Sequence, residues 1–205
     1  MAQNKTNKAW MHEHVTDFYV QQAKRAGFRS RAAYKLQQIA QQDRLIGPGM
    51  TVVDLGAAPG GWSQLAAQLV GPKGQVVAVD LLEMAPVPRV RFVQGDFREA
   101  ATLAQLEALL NGAVVDLVVS DMAPNISGVK STDQARAAHL AELALEFAVK
   151  WLKPGGNLLV KTFQGGSYDD LRQALRRHFE QVLTRKPQAS RGRSSEMYLL
   201  AKGRR

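Results

Sequence analysis

Residues Thr51 to Gly61, T-V-V-D-L-G-A-A-P-G-G, limit the folds open to this chain more than any other stretch. The first five are mostly β-branched and read as a short buried strand. The last six are only glycine, alanine and proline and can only turn. Trp62 to Val70, W-S-Q-L-A-A-Q-L-V, then reads as a helix. A strand, a glycine turn and a helix open a nucleotide-binding α/β unit. The glycines let backbone pass close to a ligand, and the helix N-terminus aims free N–H groups at it.

The rest of the chain repeats that alternation. Strands are predicted over 75–81, 90–94, 113–120, 157–163, 181–185 and 196–202, and helices over 30–42, 99–110, 132–152 and 168–179. Ser30 is a reasonable N-cap for the first of these helices, and Pro154-Gly155-Gly156 a stop for the third. Residues 1–29 show weak periodicity and read as a basic arm, leaving 30–205 as a single domain without internal repeats. Alternating strands and helices imply a parallel sheet covered on both faces, with ligands beyond the carboxyl ends of the strands. Asp80 and Asp121 fall at those ends and Asp96 just after one. Lys161 lies late in its strand and Glu196 begins the last one. The five converge only if that last strand runs against its neighbours.

Charge points to the partner. Residues 1–35 carry seven Lys/Arg against two acids, and 172–205 carry ten against two. The middle, 36–171, carries ten against fourteen. Two basic ends are an electrostatic footprint for a polyanion, most simply nucleic acid. Lys5, Lys8, Lys24, Arg25 and Arg29 at one end, with Arg185, Lys186, Arg191 and Arg193 at the other, are the expected phosphate contacts. The chain has no cysteine, which excludes disulfides and thiolate metal sites. His12, His14, His139 and His178 make no metal-ligand spacing, and no metal is expected. Without a signal-like start or a long apolar run, a cytoplasmic protein with no membrane contact is expected.

The glycine turn decides between nucleoside ligands. G-A-A-P-G-G has Ala58 where a dinucleotide fingerprint needs its second glycine, which disfavours NAD. Asp80 lies 20 residues after Gly60, the spacing of an acid that takes ribose hydroxyls. Asp96 could meet an adenine amino group or cap the next helix through Asp96-x-x-Glu99, and both roles stay open. This pattern suits S-adenosyl-L-methionine. Lys161 interrupts the apolar run N-L-L-V-K-T-F and is costly to bury unless it meets a partner or a cleft.

D-L-G-A-A-P-G-G-W, S-D-M-A-P-N, the lysine of L-V-K-T-F-Q-G and the late S-R-G-R-S-S-E, in that order, closely resemble the FtsJ/RrmJ family. These are bacterial ribose 2'-O-methyltransferases of large-subunit ribosomal RNA. The resemblance runs from about Trp10 to Lys202. It implies a Rossmann-like S-adenosylmethionine-dependent methyltransferase fold, a mostly parallel seven-stranded sheet whose last strand is antiparallel. It implies a catalytic set of Lys35, Asp121, Lys161 and Glu196, and cofactor contacts at Gly60, Trp62, Asp80, Asp96 and Asp121. The implied substrate is a uridine in the A loop of 23S ribosomal RNA, on the assembled or late-stage large subunit, acted on by a monomer. Lys161 would take or steer the 2'-hydroxyl proton. Two rivals are a base amino-methyltransferase, from the likeness of D-M-A-P-N to a D-P-P-Y loop, and a non-catalytic RNA-binding assembly factor.

Overall fold

The structure, a computed structural model, describes residues 17–125, 127–165, 167–190 and 194–205. Two helices, α1 (Phe18–Ala26) and α2 (Ala32–Asp43), precede the first strand, β1 (Thr51–Leu55). Then come α3 (Gly61–Val70), β2 (Gln75–Asp80), β3 (Val90–Gln94), α4 (Ala100–Leu110) and β4 (Val115–Ser120). The chain ends with α5 (Lys130–Trp151), β5 (Leu152–Phe163), α6 (Ser167–His178), β6 (Phe179–Arg185) and β7 (Glu196–Arg204).

The strands form one seven-stranded sheet in the order β3-β2-β1-β4-β5-β7-β6. β1 to β5 are parallel, and β7 lies antiparallel between β5 and β6. The condition for convergence is therefore met. Glu196, at the start of β7, pairs with Phe163 at the end of β5, so it joins the carboxyl edge.

Both faces of the sheet are covered because its central strands are mostly apolar, with Val or Leu on each side. Val53, Leu55, Val77, Val79 and Val118 point to the face packed by α4, α5 and α6. Their neighbours Val52, Val76, Leu117 and Val119 point to the face packed by α2 and α3. This period-two split is what an interior parallel strand requires. Each fully buried Leu or Val stabilises the fold by about 1.5–3 kcal/mol.

Three local expectations are corrected. Residues 18–26 form a helix, although only Val20 and Ala23 on it are buried. Its ends define it instead. Asp17 accepts from the N–H groups of Tyr19 and Val20, and Gly27 closes it in the left-handed region. Ser30 is not a cap, because α2 begins after Arg31, which makes no side-chain cap bond. Pro154-Gly155-Gly156 lies inside β5, where Leu152 pairs with Val115 and Asn157 with Leu117 across a register shift. The turn residues are absorbed as an irregularity in the strand. Among the described residues no helix is long and apolar enough to cross a membrane.

Candidate active site

The glycine turn leaves β1 at the carboxyl edge and enters α3. Gly56 adopts φ 74°, and a Cβ there would lie 2.3 Å from the Met122 side chain. Glycine is thus required for the turn to meet the loop after β4. Gly60 is the N-cap of α3 with φ 107°. Asp80 at the end of β2 is fixed by two backbone donors. Its Oδ2 accepts from Ala58 N at 2.9 Å and its Oδ1 from Leu82 N at 2.8 Å. Each oxygen keeps a lone pair. An acceptor-only carboxylate clamped beside the turn fits a vicinal diol, so the residues present suit an adenosine-bearing cofactor.

The other expected cofactor residues behave differently. The Trp62 side chain is buried. Its indole N–H donates to Ala32 O at 2.7 Å and its ring lies 5.6 Å from that of Tyr198. Its indole belongs to the core, and only its backbone, in the first turn of α3, faces the cradle. Asp96 does not form the capping box. It is 2.5 Å from the Arg98 guanidinium and also accepts from Arg98 N, while α4 starts after Glu99 without a side-chain cap. The Arg98 hydrogen bond outweighs partial burial and holds the Asp96 carboxyl below its usual range.

Two cations expected on RNA are already engaged. Arg29 donates to Pro59 O at 3.1 Å and to Ala85 O and Pro86 O at 2.5 Å each, knotting the glycine turn to the loop after β2. Arg185 makes a bidentate pair with Asp43, at 2.7 and 2.6 Å. Lys5, Lys8, His12, His14, Arg191 and Arg193 lie outside the described residues.

Lys35, Asp121, Lys161 and Glu196 come from four separate elements and meet at one point. Lys161 Nζ is 2.8 Å from Asp121 Oδ1, 2.8 Å from Asp121 O and 3.7 Å from Glu196 Oε2. Glu196 Oε1 is 2.6 Å from Lys35 Nζ and 3.1 Å from Ser190 Oγ. The Glu196 carboxylate therefore spans both lysines. Burial pushes its carboxyl up, but Lys35 and Lys161 together outweigh that and hold it below the usual range. A cleft of about 170 Å³ opens beside this cluster, lined by Arg31, Ala32, Lys35, Ser194 and Glu196.

Two members of the cluster were not anticipated. Tyr198 is fully buried, with its hydroxyl 2.6 Å from Asp121 Oδ1 and 3.3 Å from Glu196 Oε1. Burial, then the two carboxylates, raise its pKa well above the ordinary value, so it stays a neutral donor. The signal was available: Glu196 and Tyr198 are two apart on a strand and share a face. Asp54 lies under the turn, fully buried. Ser63 Oγ donates to its Oδ2 at 2.6 Å, and its Oδ1 has no partner. It was hidden because it reads simply as part of the T-V-V-D-L strand.

The Tyr198 hydroxyl holds Asp121 and Glu196 at fixed separation and so positions Lys161. Tyr198→Phe keeps the ring packing and removes one hydrogen bond to a charged group, about 1.5–3 kcal/mol. If that loss appears in the transition state, single-turnover methyl transfer falls ~10- to 100-fold. Affinity for S-adenosylmethionine stays unchanged. An unaltered rate would show the hydroxyl to be structural only.

Comparison with known proteins agrees on one family. The FtsJ-like methyltransferase profile matches residues 28–204. The chain is 61% identical over its full length, and the full length of the relative, to ribosomal RNA large subunit methyltransferase E of Nitrosospira multiformis. It is 55% identical to the protein of that name in Neisseria meningitidis serogroup C, over 98% of both chains. A crystal structure of a ribosomal RNA methyltransferase from Plasmodium falciparum is 28% identical. It superposes with a TM-score of 0.77 over 86% of this chain and 98% of that one.

Proposed function

The chain belongs to the FtsJ-like methyltransferase family, and we propose that it transfers a methyl group from S-adenosyl-L-methionine to a uridine ribose 2'-hydroxyl in the A loop of large-subunit ribosomal RNA. The assembled or late-stage large subunit is the substrate, and the protein acts in the cytoplasm as a monomer. The observation that carries this reading is the buried Lys161, held by Asp121 and next to Glu196 at the cofactor edge. The names of the full-length relatives support the ribosomal substrate.

When bound, the cofactor supplies an already activated methyl group on a sulfonium. What remains for the protein is alignment, which can supply roughly 7–11 kcal/mol, and control of one proton. Asp80 takes the ribose hydroxyls of the cofactor. The backbone at Gly60 and Trp62 would hold its methionine end, and Asp96 and Asp121 would lie toward its base and the transferred group. As an ammonium, Lys161 has three N–H donors, and Asp121 occupies two of them through Oδ1 and its carbonyl. The third is left for the 2'-oxygen, which Lys161 would hold in line, while the hydroxyl proton would pass to the Glu196 carboxylate, 3.7 Å from Nζ, or to water. Lys35, through Glu196, fixes the substrate side of that geometry.

A base amino-methyltransferase has no use for a buried lysine at this point. Asn125 also stands where such an enzyme would stack an aromatic ring on the base. The test is methylation of large-subunit particles that lack the modification, with isotope-labelled S-adenosylmethionine, followed by nucleoside analysis. Labelled 2'-O-methyluridine is expected. Label on a base nitrogen, or none, overturns the reading.

A further inference from the structure

The basic C-terminal stretch, continuous in sequence, is divided by the fold between opposite ends of the sheet. β7 starts at the active site with Glu196 and runs away from it. Lys202 lies opposite Gln181, Arg204 opposite Phe179, and Arg205 N donates to His178 O at 3.0 Å. Arg176 and Arg177 occupy the last turn of α6, just before β6 begins at that same far end. Nine residues of strand at about 3.3 Å each put this end roughly 25–30 Å from Glu196. Five cations therefore gather where no nucleotide in the active site can reach them.

None of the five makes a side-chain hydrogen bond or ion pair among the described residues, in contrast to Arg29, Arg31, Arg98 and Arg185. Glu180, opposite Gly203 in β7, is an acid that β6 brings beside them. Arg176 and Arg177 also offset the dipole of α6, which by itself would explain them. Lys202, Arg204 and Arg205 have no such role. Lys202 and Arg204 lie in β7 in register with β6, and Arg205 follows directly.

Building on the function proposed above, we infer that this far pole is a second phosphate-binding surface. It contacts a segment of large-subunit RNA well removed from the methylated nucleotide. A chain with phosphate contacts at both ends of its sheet needs a large folded RNA to engage both at once. A short stem-loop carrying the target uridine reaches only the active-site pole.

The full chain is compared with R176Q/R177Q and with K202Q/R204Q, both remote from the catalytic cluster. For large-subunit particles, each double variant is expected to raise KM about tenfold and leave kcat within twofold, with cofactor affinity unchanged. In direct binding to protein-free large-subunit RNA, each variant also flattens the dependence of log affinity on log salt, because fewer counterions are released. Binding to a short hairpin stays the same. Unchanged KM and salt slope would show these cations to be merely solvated. Weakened binding to particles but not to protein-free RNA would assign the surface to a ribosomal protein. Either result overturns the inference. The binding measurements do not depend on turnover, so they can be read even if wild-type protein failed to methylate the ribose.

Discussion

Lys161→Ala is expected to reduce methyl transfer by ~10³-fold or more, within the range for losing a group that moves or steers a proton in the transition state. Cofactor binding should stay nearly intact: of the expected cofactor residues Lys161 is paired with Asp121, while Asp80 and the glycine turn are not among its partners. The buried position makes the effect large. Lys161 is 7% exposed in its side chain and stands between Asp121 and Glu196. Without it water can enter, but Asp121 loses its charged partner and keeps the Tyr198 hydroxyl as a neutral donor. The same change removes the counter-charge of two carboxylates, so part of any loss could come from instability. Lys161→Met, which keeps the stem volume, and a thermal unfolding measurement separate the two effects. A methyl-incorporation assay checks the outcome. Substantial activity in a folded Lys161→Met protein would remove the lysine from the mechanism.

Asp54→Asn should change how stability depends on pH. Burial, opposed by the Ser63 hydrogen bond and reinforced by Asp121 and Asp80, pushes the Asp54 carboxyl up to about 7 from an ordinary 3.8. Between those two pH values the folded protein holds a proton that the unfolded chain has lost. Stability from this group is therefore greatest at low pH, falls as pH rises from about 4 to 7 and is level above that. The full span is up to ~4 kcal/mol. The asparagine cannot ionise, so its slope is absent. The stability of Asp54→Asn relative to wild type should rise by a few kcal/mol between pH 5 and pH 8, read from denaturant unfolding at each pH. A difference that stays constant over that interval would mean that Asp54 is not protonated under the turn.

Much of this architecture was legible because local signals agreed with it. The T-V-V-D-L strand, the glycine turn and the acid 20 residues on from Gly60 each have one easy structural reading. The structure places them accordingly. Lys161 was conspicuous because a charge in an apolar strand needs a partner. The local errors came where ends and packing decide. α1 has little apolar periodicity and is defined by Asp17 and Gly27. Asp96-x-x-Glu99 matched a capping box, but Arg98 offered a charge-assisted partner two residues away, and the carboxylate took it.

Short-range signals set the strand–turn–helix cradle, the α/β alternation and the residue types available for chemistry. All of these depend on neighbours within a few turns of chain. What those residues touch depends on the folded chain. The antiparallel setting of β7 brings Glu196 to Lys35 and Lys161, and it is fixed by pairing with β5. The same reversal carries Lys202 and Arg204 to the opposite pole. Arg29 and Arg185, equivalent to the other cations in composition, are taken by partners 30 to 142 residues away. Local sequence sets conformation through short-range sterics and hydrogen bonds. Ion pairs depend on distances in space, which exist only once the sheet has closed the long loops between its strands.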